Sequence, residues 1–275
     1  MTRPEPRSSI LNPPSSIQSI GVFDSGVGGL TVFREIARAL PRESLIYLGD
    51  SARVPYGTKS PQTVLRYAQE AARHLLSRDI KMLVVACNTA TAAALPALQA
   101  ELSIPVIGVV EPGARAAVDK TSGVVGVIAT EGTVRSRAYT LAIKHLDPDI
   151  EVFESAAPLF VPLAEEGWAN THVAREVAEI YLEPLIDAGI DTLVLGCTHY
   201  PILRATIEQV VGDAVQIVDS AETTALTVRH ALGDLTGVAH PSRRFLVTDA
   251  EERFRRIASE FLDHEIEDLE LVSLG

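Results

Sequence analysis

"DTLVLGCTHY", residues 191–200, and "KMLVVACNTA", residues 81–90, are the stretches whose reading decides the fold. Each is an apolar run that ends at one of the chain's two cysteines and then turns polar. Laid over each other they align Ile80 with Ile190, Leu83 with Leu193, Val84 with Val194 and Cys87 with Cys197, a constant spacing of 110 residues. A short, continuously apolar run bounded by turn residues is the pattern of a parallel strand buried on both faces. Two such strands predict two related halves, each with a thiol at the C-terminal end of a strand.

Outward from these runs the same alternation continues. Strands are expected at 19–23, 44–48, 82–86, 104–110, 124–129, 150–155, 192–196, 215–220 and 243–248. Helical periodicity falls at 32–40, 61–77 and 89–100, from about 133, at 172–186, up to 232, and at 250–262. Strand–helix alternation of this kind predicts an α/β fold with mostly parallel sheets flanked by helices. The expected organisation is an N-terminal tail over 1–18, a first α/β domain over 19–111 plus 220–275, and a pseudo-symmetric second over 112–219. Ligands of open α/β sheets bind beyond the C-terminal strand ends, so the active site is expected in the cleft between the two domains.

Composition narrows the function classes. The chain has 275 residues, 47% of them hydrophobic, and a net charge of −12. No run of about five basic residues occurs, which argues against nucleic acid and anionic membrane as partners. No apolar stretch approaches the roughly 18 residues of a membrane-spanning helix. The opening "MTRPEPRSSILNPPSSIQS" lacks an apolar core and reads as a flexible tail, not a signal peptide. Two cysteines do not make a secreted disulfide framework, so a reducing cytoplasm is the expected location.

"FDSGVGGLT", residues 23–31, invites a dinucleotide-binding reading, since it follows a strand and precedes a helix. The fingerprint fails at its third position, where Thr31 stands, and Asp24 would face a pyrophosphate with negative charge. The glycines instead predict a tight turn at positive φ. Asp24 and Ser25, at the strand's end, are left without a structural purpose.

The two thiols admit three readings. Buried cysteine is commonly a small hydrophobe, but here that would have to hold twice, at matched strand ends. Zinc is disfavoured because the two thiols and His199 lack paired metal-ligand spacing. The third reading is acid–base chemistry. A thiolate removes a proton from one face of an amino acid's Cα while an opposing thiol delivers one to the other face, which inverts chirality. A pseudo-twofold fold suits a reaction whose substrate and product are mirror images.

"FDSGVGGLTV", "DSARVPYG", "VVACNTATA", "PLFVPLAEEG" and "LVLGCTHYP" together resemble the signature set of the cofactor-independent glutamate racemases, in order over residues 19–230. The resemblance implies conversion of L-glutamate to D-glutamate for peptidoglycan, without cofactor or metal, in a homodimer. It makes Cys87 and Cys197 the acid–base pair, with Asp24 near Cys87 and His199 near Cys197. A carboxylate of "AEEG" assists on the Cys197 side, Glu165 in preference to Glu166. Ser25, Tyr56, Gly57, Asn88, Thr89 and Thr198 would hold the substrate together with Asp24 and His199, and Thr130 and Thr133 of "TEGTVRS" join them. Helix N-termini after Ser25, Cys87 and Cys197 are expected to bind the carboxylates and to lower the thiol pKa values. Aspartate racemase, hydantoin racemase and arylmalonate decarboxylase relatives are the competing enzymes, and an amino-acid-binding regulatory protein is the competing class.

Overall fold

The computed structural model describes residues 18–233 and 238–274. All but the last residue of the expected tail therefore lies outside the described residues. In chain order the first elements are β1 (Ser19–Asp24), α1 (Leu30–Ala39), β2 (Leu45–Gly49), α2 (Pro61–Leu76), β3 (Ile80–Val85), α3 (Asn88–Glu101), β4 (Val106–Gly108) and α4 (Val110–Lys120). The middle of the chain forms β5 (Val124–Ala129), α5 (Glu131–Ser136), α6 (Ala138–Leu146), β6 (Glu151–Ala156), α7 (Phe160–Glu165), α8 (His172–Asp187), β7 (Thr192–Gly196) and α9 (Arg204–Val211). It closes with β8 (Gln216–Asp219), α10 (Ser220–Leu232), β9 (Arg243–Val247), α11 (Glu251–Leu262) and β10 (Leu269–Leu271).

Two sheets result, ordered β10-β9-β2-β1-β3-β4 and β6-β5-β7-β8, with every pairing parallel. The run β2-β1-β3-β4 has the same topology as β6-β5-β7-β8, so the two cysteine strands, β3 and β7, occupy the same interior position. The repeat extends to single side chains. Gly21 of β1 pairs with Leu83 of β3, and Gly126 of β5 pairs with Leu193 of β7. A Cβ on Gly21 would lie 2.9 Å from Ile80 Cδ1, and one on Gly126 would lie 2.8 Å from Ile190 Cδ1. In each half a glycine leaves room for the isoleucine that precedes the paired leucine. Continuous apolar strands are explained by helices on both faces: Val22 and Val84 pack in one cluster and Leu83 and Val85 in another.

Two elements go beyond the sequence reading. The position expected for the seam, 111–112, lies in the first turn of α4. Pro112 is compatible with that turn because the N–H it lacks would have no intrahelical acceptor there. Residues 160–165 form a helix of their own, and a short tenth strand joins the edge of the larger sheet. Helix α10 packs against both α1 and α4. Among the described residues no helix is long and apolar enough to cross a membrane.

The glycine–isoleucine pairs give a stability test. Gly126→Ala is expected to cost about 1–3 kcal/mol by overpacking against Ile190. Because the clash is with a flexible methyl end, adding Ile190→Val should recover part of that loss. Urea midpoints of the two single variants and the double variant check this; strict additivity would contradict the packing argument.

Candidate active site

The C-terminal ends of β1, β3, β5 and β7 converge on one cavity of about 200 Å3. Cys87 and Cys197 both line it, each 6% exposed. Ser25, Tyr56, Gly57, Asn88, Thr89, Thr130, Glu165, Thr198 and His199 share its wall. Asp24 and Thr133, the other expected residues, stand behind the wall with no exposed surface. The sequence reading missed Gly26, Val54, Pro55 and Val161, which also line the cavity. Val54 and Pro55 lie inside the "DSARVPYG" stretch already singled out, but apolar loop residues carry no chemical signal of their own.

The glycine turn works differently from expectation. None of Gly26, Gly28 and Gly29 has a positive φ. What demands glycine is close approach. A Cβ on Gly28 would lie 2.4 Å from both His199 Nδ1 and Thr198 Oγ1, and one on Gly29 would lie 2.4 Å from Asp24 Cβ. The missing side chains let the end of β1 press against the loop after β7. Thr31 Oγ1 then donates to the Thr198 carbonyl at 3.0 Å, and Thr198 Oγ1 reaches Asp24 Oδ1 at 3.5 Å.

On the first thiol's side, Cys87 caps α3: its sulfur accepts the Ala90 N–H at 3.4 Å and lies 3.6 Å from Ser25 Oγ. Asp24 accepts the Gly26 N–H at 2.9 Å. The expected lowering of this thiol's pKa is overturned. Burial first, and the neighbouring Asp24 second, push Cys87 up to about 12, outweighing the helix N–H. Burial also raises Asp24, against the opposing pull of His199.

The second thiol has different surroundings. After Cys197 the chain enters a short 3₁₀ turn, Tyr200–Leu203, before α9, so no α-helix begins at this sulfur. His199 takes that place, with Nδ1 at 3.9 Å from Cys197 Sγ and Nε2 at 3.0 Å from Glu165 Oε1. Burial opposes charge on this ring, but hydrogen bonds to Cys197 and Glu165 more than offset it and raise His199 to about 10. Glu165 is lowered: burial acts upward, and the bond to His199 with nearby Arg253 outweighs it. Glu166 instead faces Arg253 at 3.1 Å, so Glu165 is the carboxylate that reaches the imidazole. Arg253 of α11 also pairs with Glu165 Oε2 at 3.0 Å.

Hydroxyls close the remaining wall. Thr89 Oγ1 lies 2.8 Å from Thr130 Oγ1 and 3.3 Å from Thr133 Oγ1, linking the first turn of α3 to the start of α5. Tyr56 is held by Asp50 Oδ2 at 2.5 Å, which orients its ring along the cavity. Among the described residues no group of three or more His, Cys, Asp or Glu side chains is arranged to hold a metal ion.

This geometry has counterparts among known proteins. The profile of the family described as Asp/Glu/Hydantoin racemase matches residues 20–228. The chain is 56% identical over 262 residues to the glutamate racemase of Geobacter metallireducens, covering 94% of this chain and 97% of that one. It superposes on the crystal structure of a glutamate racemase isoform from Bacillus anthracis with a TM-score of 0.90 and 44% identity, over 94% of this chain and 98% of the other. The glutamate racemase of Francisella tularensis in complex with D-glutamate gives 0.89 and 39% over the same shares. Two like sheets, two thiols in one cleft and this extent of likeness lead to one conclusion: the chain belongs to the Asp/Glu/Hydantoin racemase family, among its glutamate racemases.

Proposed function

We propose that this protein interconverts L- and D-glutamate by two-base proton transfer between Cys87 and Cys197, and that the D-glutamate supplies peptidoglycan synthesis. The observation that carries the reading is that both thiols, from equivalent strand ends of the two sheets, line a single cavity. A substrate Cα lying between two sulfurs can lose a proton to one and gain a proton from the other.

The surroundings of the two sulfurs differ. Cys87, at about 12, holds its proton at neutral pH and is ready to act as the acid. His199, at about 10, carries a positive charge at neutral pH and offers Cys197 a counter-charge. In one direction Cys197 abstracts and Cys87 delivers; the reverse reaction starts from the opposite proton distribution. Asp24 beside Cys87 and His199 beside Cys197 are the groups through which that distribution resets. The substrate's carboxylates are received by the first turn of α3 and by the threonine hydroxyls, since backbone N–H groups at a helix start favour anions. The carbanion is stabilised by fixed dipoles in a cleft with little room for water.

Replacing either thiol removes the group assigned to exchange a proton with Cα on its face. Cys87→Ala and Cys197→Ala are each expected to lower racemisation by about 10²–10⁴-fold, followed by circular dichroism of the glutamate. A variant retaining a tenth of the parent rate would rule out the two-thiol mechanism.

Isotope incorporation separates two bases from one. In deuterium oxide, starting from L-glutamate, early D-glutamate should carry deuterium at Cα in nearly every molecule, while unreacted L-glutamate stays largely protiated. Retention of the original proton in early D-glutamate would show that a single base returns it.

The charge on His199 is open to direct measurement. Its raised value means that the cation persists as pH climbs through 7 and 8 and is lost only near about 10. Nitrogen-15 spectra of labelled histidine should show both ring nitrogens protonated at pH 8. Glu165→Gln removes one of the two raising partners and should bring the midpoint down by about one unit or more.

A further inference from the structure

Phe261 stands in the last turn of α11 with no exposed surface. Its ring packs edge to face with the imidazole of His199, the centroids 5.7 Å apart and the planes at 82°. The carbonyl of Phe261 lies in the final turn of the helix, where no intrahelical donor reaches it. Arg34 of α1 supplies one. Its Nη1 donates to Phe261 O at 2.9 Å and lies 3.3 Å from Oδ2 of Asp263, the residue that ends the helix. Arg34 thus seats the end of α11, and with it the ring that touches His199.

The hydrogen-bond partners of the imidazole, Cys197 at Nδ1 and Glu165 at Nε2, both act on ring nitrogens. Contacts at two ring atoms leave a ring free to tilt about the axis that joins them, and the one to sulfur is long at 3.9 Å. An aromatic ring packed at right angles opposes that tilt. The perpendicular arrangement is also one that aromatic quadrupoles favour, and within about 6 Å an aromatic ring attracts a cation set against its face. The titratable and charged groups around His199 are Cys197 and Glu165, with Asp24 acting from β1 and Arg253 reaching Glu165 from α11. Phe261 adds to them a contact that carries no charge of its own.

We propose that Phe261, seated by Arg34, is a positioning residue for His199: it holds the imidazole in the plane that aims Nδ1 at the Cys197 sulfur, and it favours the imidazolium there. The proposal rests on the reading that Cys197 exchanges a proton with Cα. It extends that side of the site to α1 and α11, which contribute no residue to the wall of the thiol cavity. Because Phe261 acts through His199, it bears on proton transfer and not on substrate binding.

The test compares the parent protein with three variants. Phe261→Leu keeps apolar bulk without a ring, and Arg34→Met frees the Phe261 carbonyl. Phe254→Leu is the control, since that ring of the same helix packs on Tyr47 instead, at 6.1 Å. Nitrogen-15 and proton spectra of the ligand-free protein follow the titration of His199, and kcat, KM and the pH profile are measured in both directions. Phe261→Leu should lower the His199 midpoint by about half a unit or more. The sign follows from the charge: a weaker hold on the imidazolium lets it lose its proton at lower pH. The alkaline limb of kcat/KM should move down with it, and kcat should fall about threefold to tenfold with KM within about twofold. Arg34→Met should shift the same readings in the same direction by less, and Phe254→Leu should shift none of them. If Phe261→Leu does not fold, Arg34→Met against Phe254→Leu decides by the same readings. An unmoved midpoint and pH limb, a rise in KM at constant kcat, or an equal shift in Phe254→Leu would overturn the proposal while leaving the two-thiol reading intact. A parent protein that does not racemise glutamate would overturn that reading, and this proposal with it.

Discussion

A hydrogen atom in place of a side chain at Gly28 allows the end of β1 to lie against Thr198 and His199, within the space a methyl group would fill. The two sheets meet at this contact. Thr31 and Asp24 of the first sheet's side hydrogen-bond the same loop that carries the second thiol. Any larger residue would push the loop away and move His199 from Cys197. The place of the imidazole depends on this backbone-to-side-chain approach.

A symmetric frame here carries an asymmetric electrostatic field. Cys87 and Cys197 stand at equivalent strand ends, but the first sits at an α-helix start beside a buried carboxylate, and the second beside an imidazole braced by Glu165. Burial governs the first site, raising both Cys87 and Asp24. Paired charges govern the second, where hydrogen bonds overcome burial to keep His199 cationic. The surroundings of the two thiols therefore differ, although their places in the two sheets are equivalent.

Polar contacts across the cleft have unequal weight. The threonine cluster of Thr89, Thr130 and Thr133 and the Tyr139–Asn88 bond are buried and directional, so they set geometry. Arg253 is 53% exposed, and an ion pair so open to water contributes at most about 1 kcal/mol. Its grip on Glu165 and Glu166 guides α7 without holding the halves together. The buried contacts near the sulfurs, rather than the surface pairs, define the site.

The local pattern of the chain determined a good part of this. Apolar continuity in 82–86 and 192–196, together with the matched spacing of Ile80, Leu83 and Cys87 with Ile190, Leu193 and Cys197, was sufficient to read two related parallel halves with thiols at the strand ends. The polar residues next to those cysteines were legible for the same reason, because strand ends are where α/β sheets bind ligands. Tertiary structure alone decided the rest. Gly28 answers to atoms about 170 residues away in the chain and Gly29 to Asp24 and Tyr47, so the purpose of the turn was misread as positive φ. The Tyr139–Asn88 bond exists only because folding brings α6 to the start of α3, and Glu165 became distinguishable from Glu166 only when α7 turned one of them toward His199. The fall or rise of a thiol's pKa likewise depends on how deeply it is buried and on which charges face it. Those are properties of the packed molecule, whereas periodicity and composition report only on neighbours along the chain.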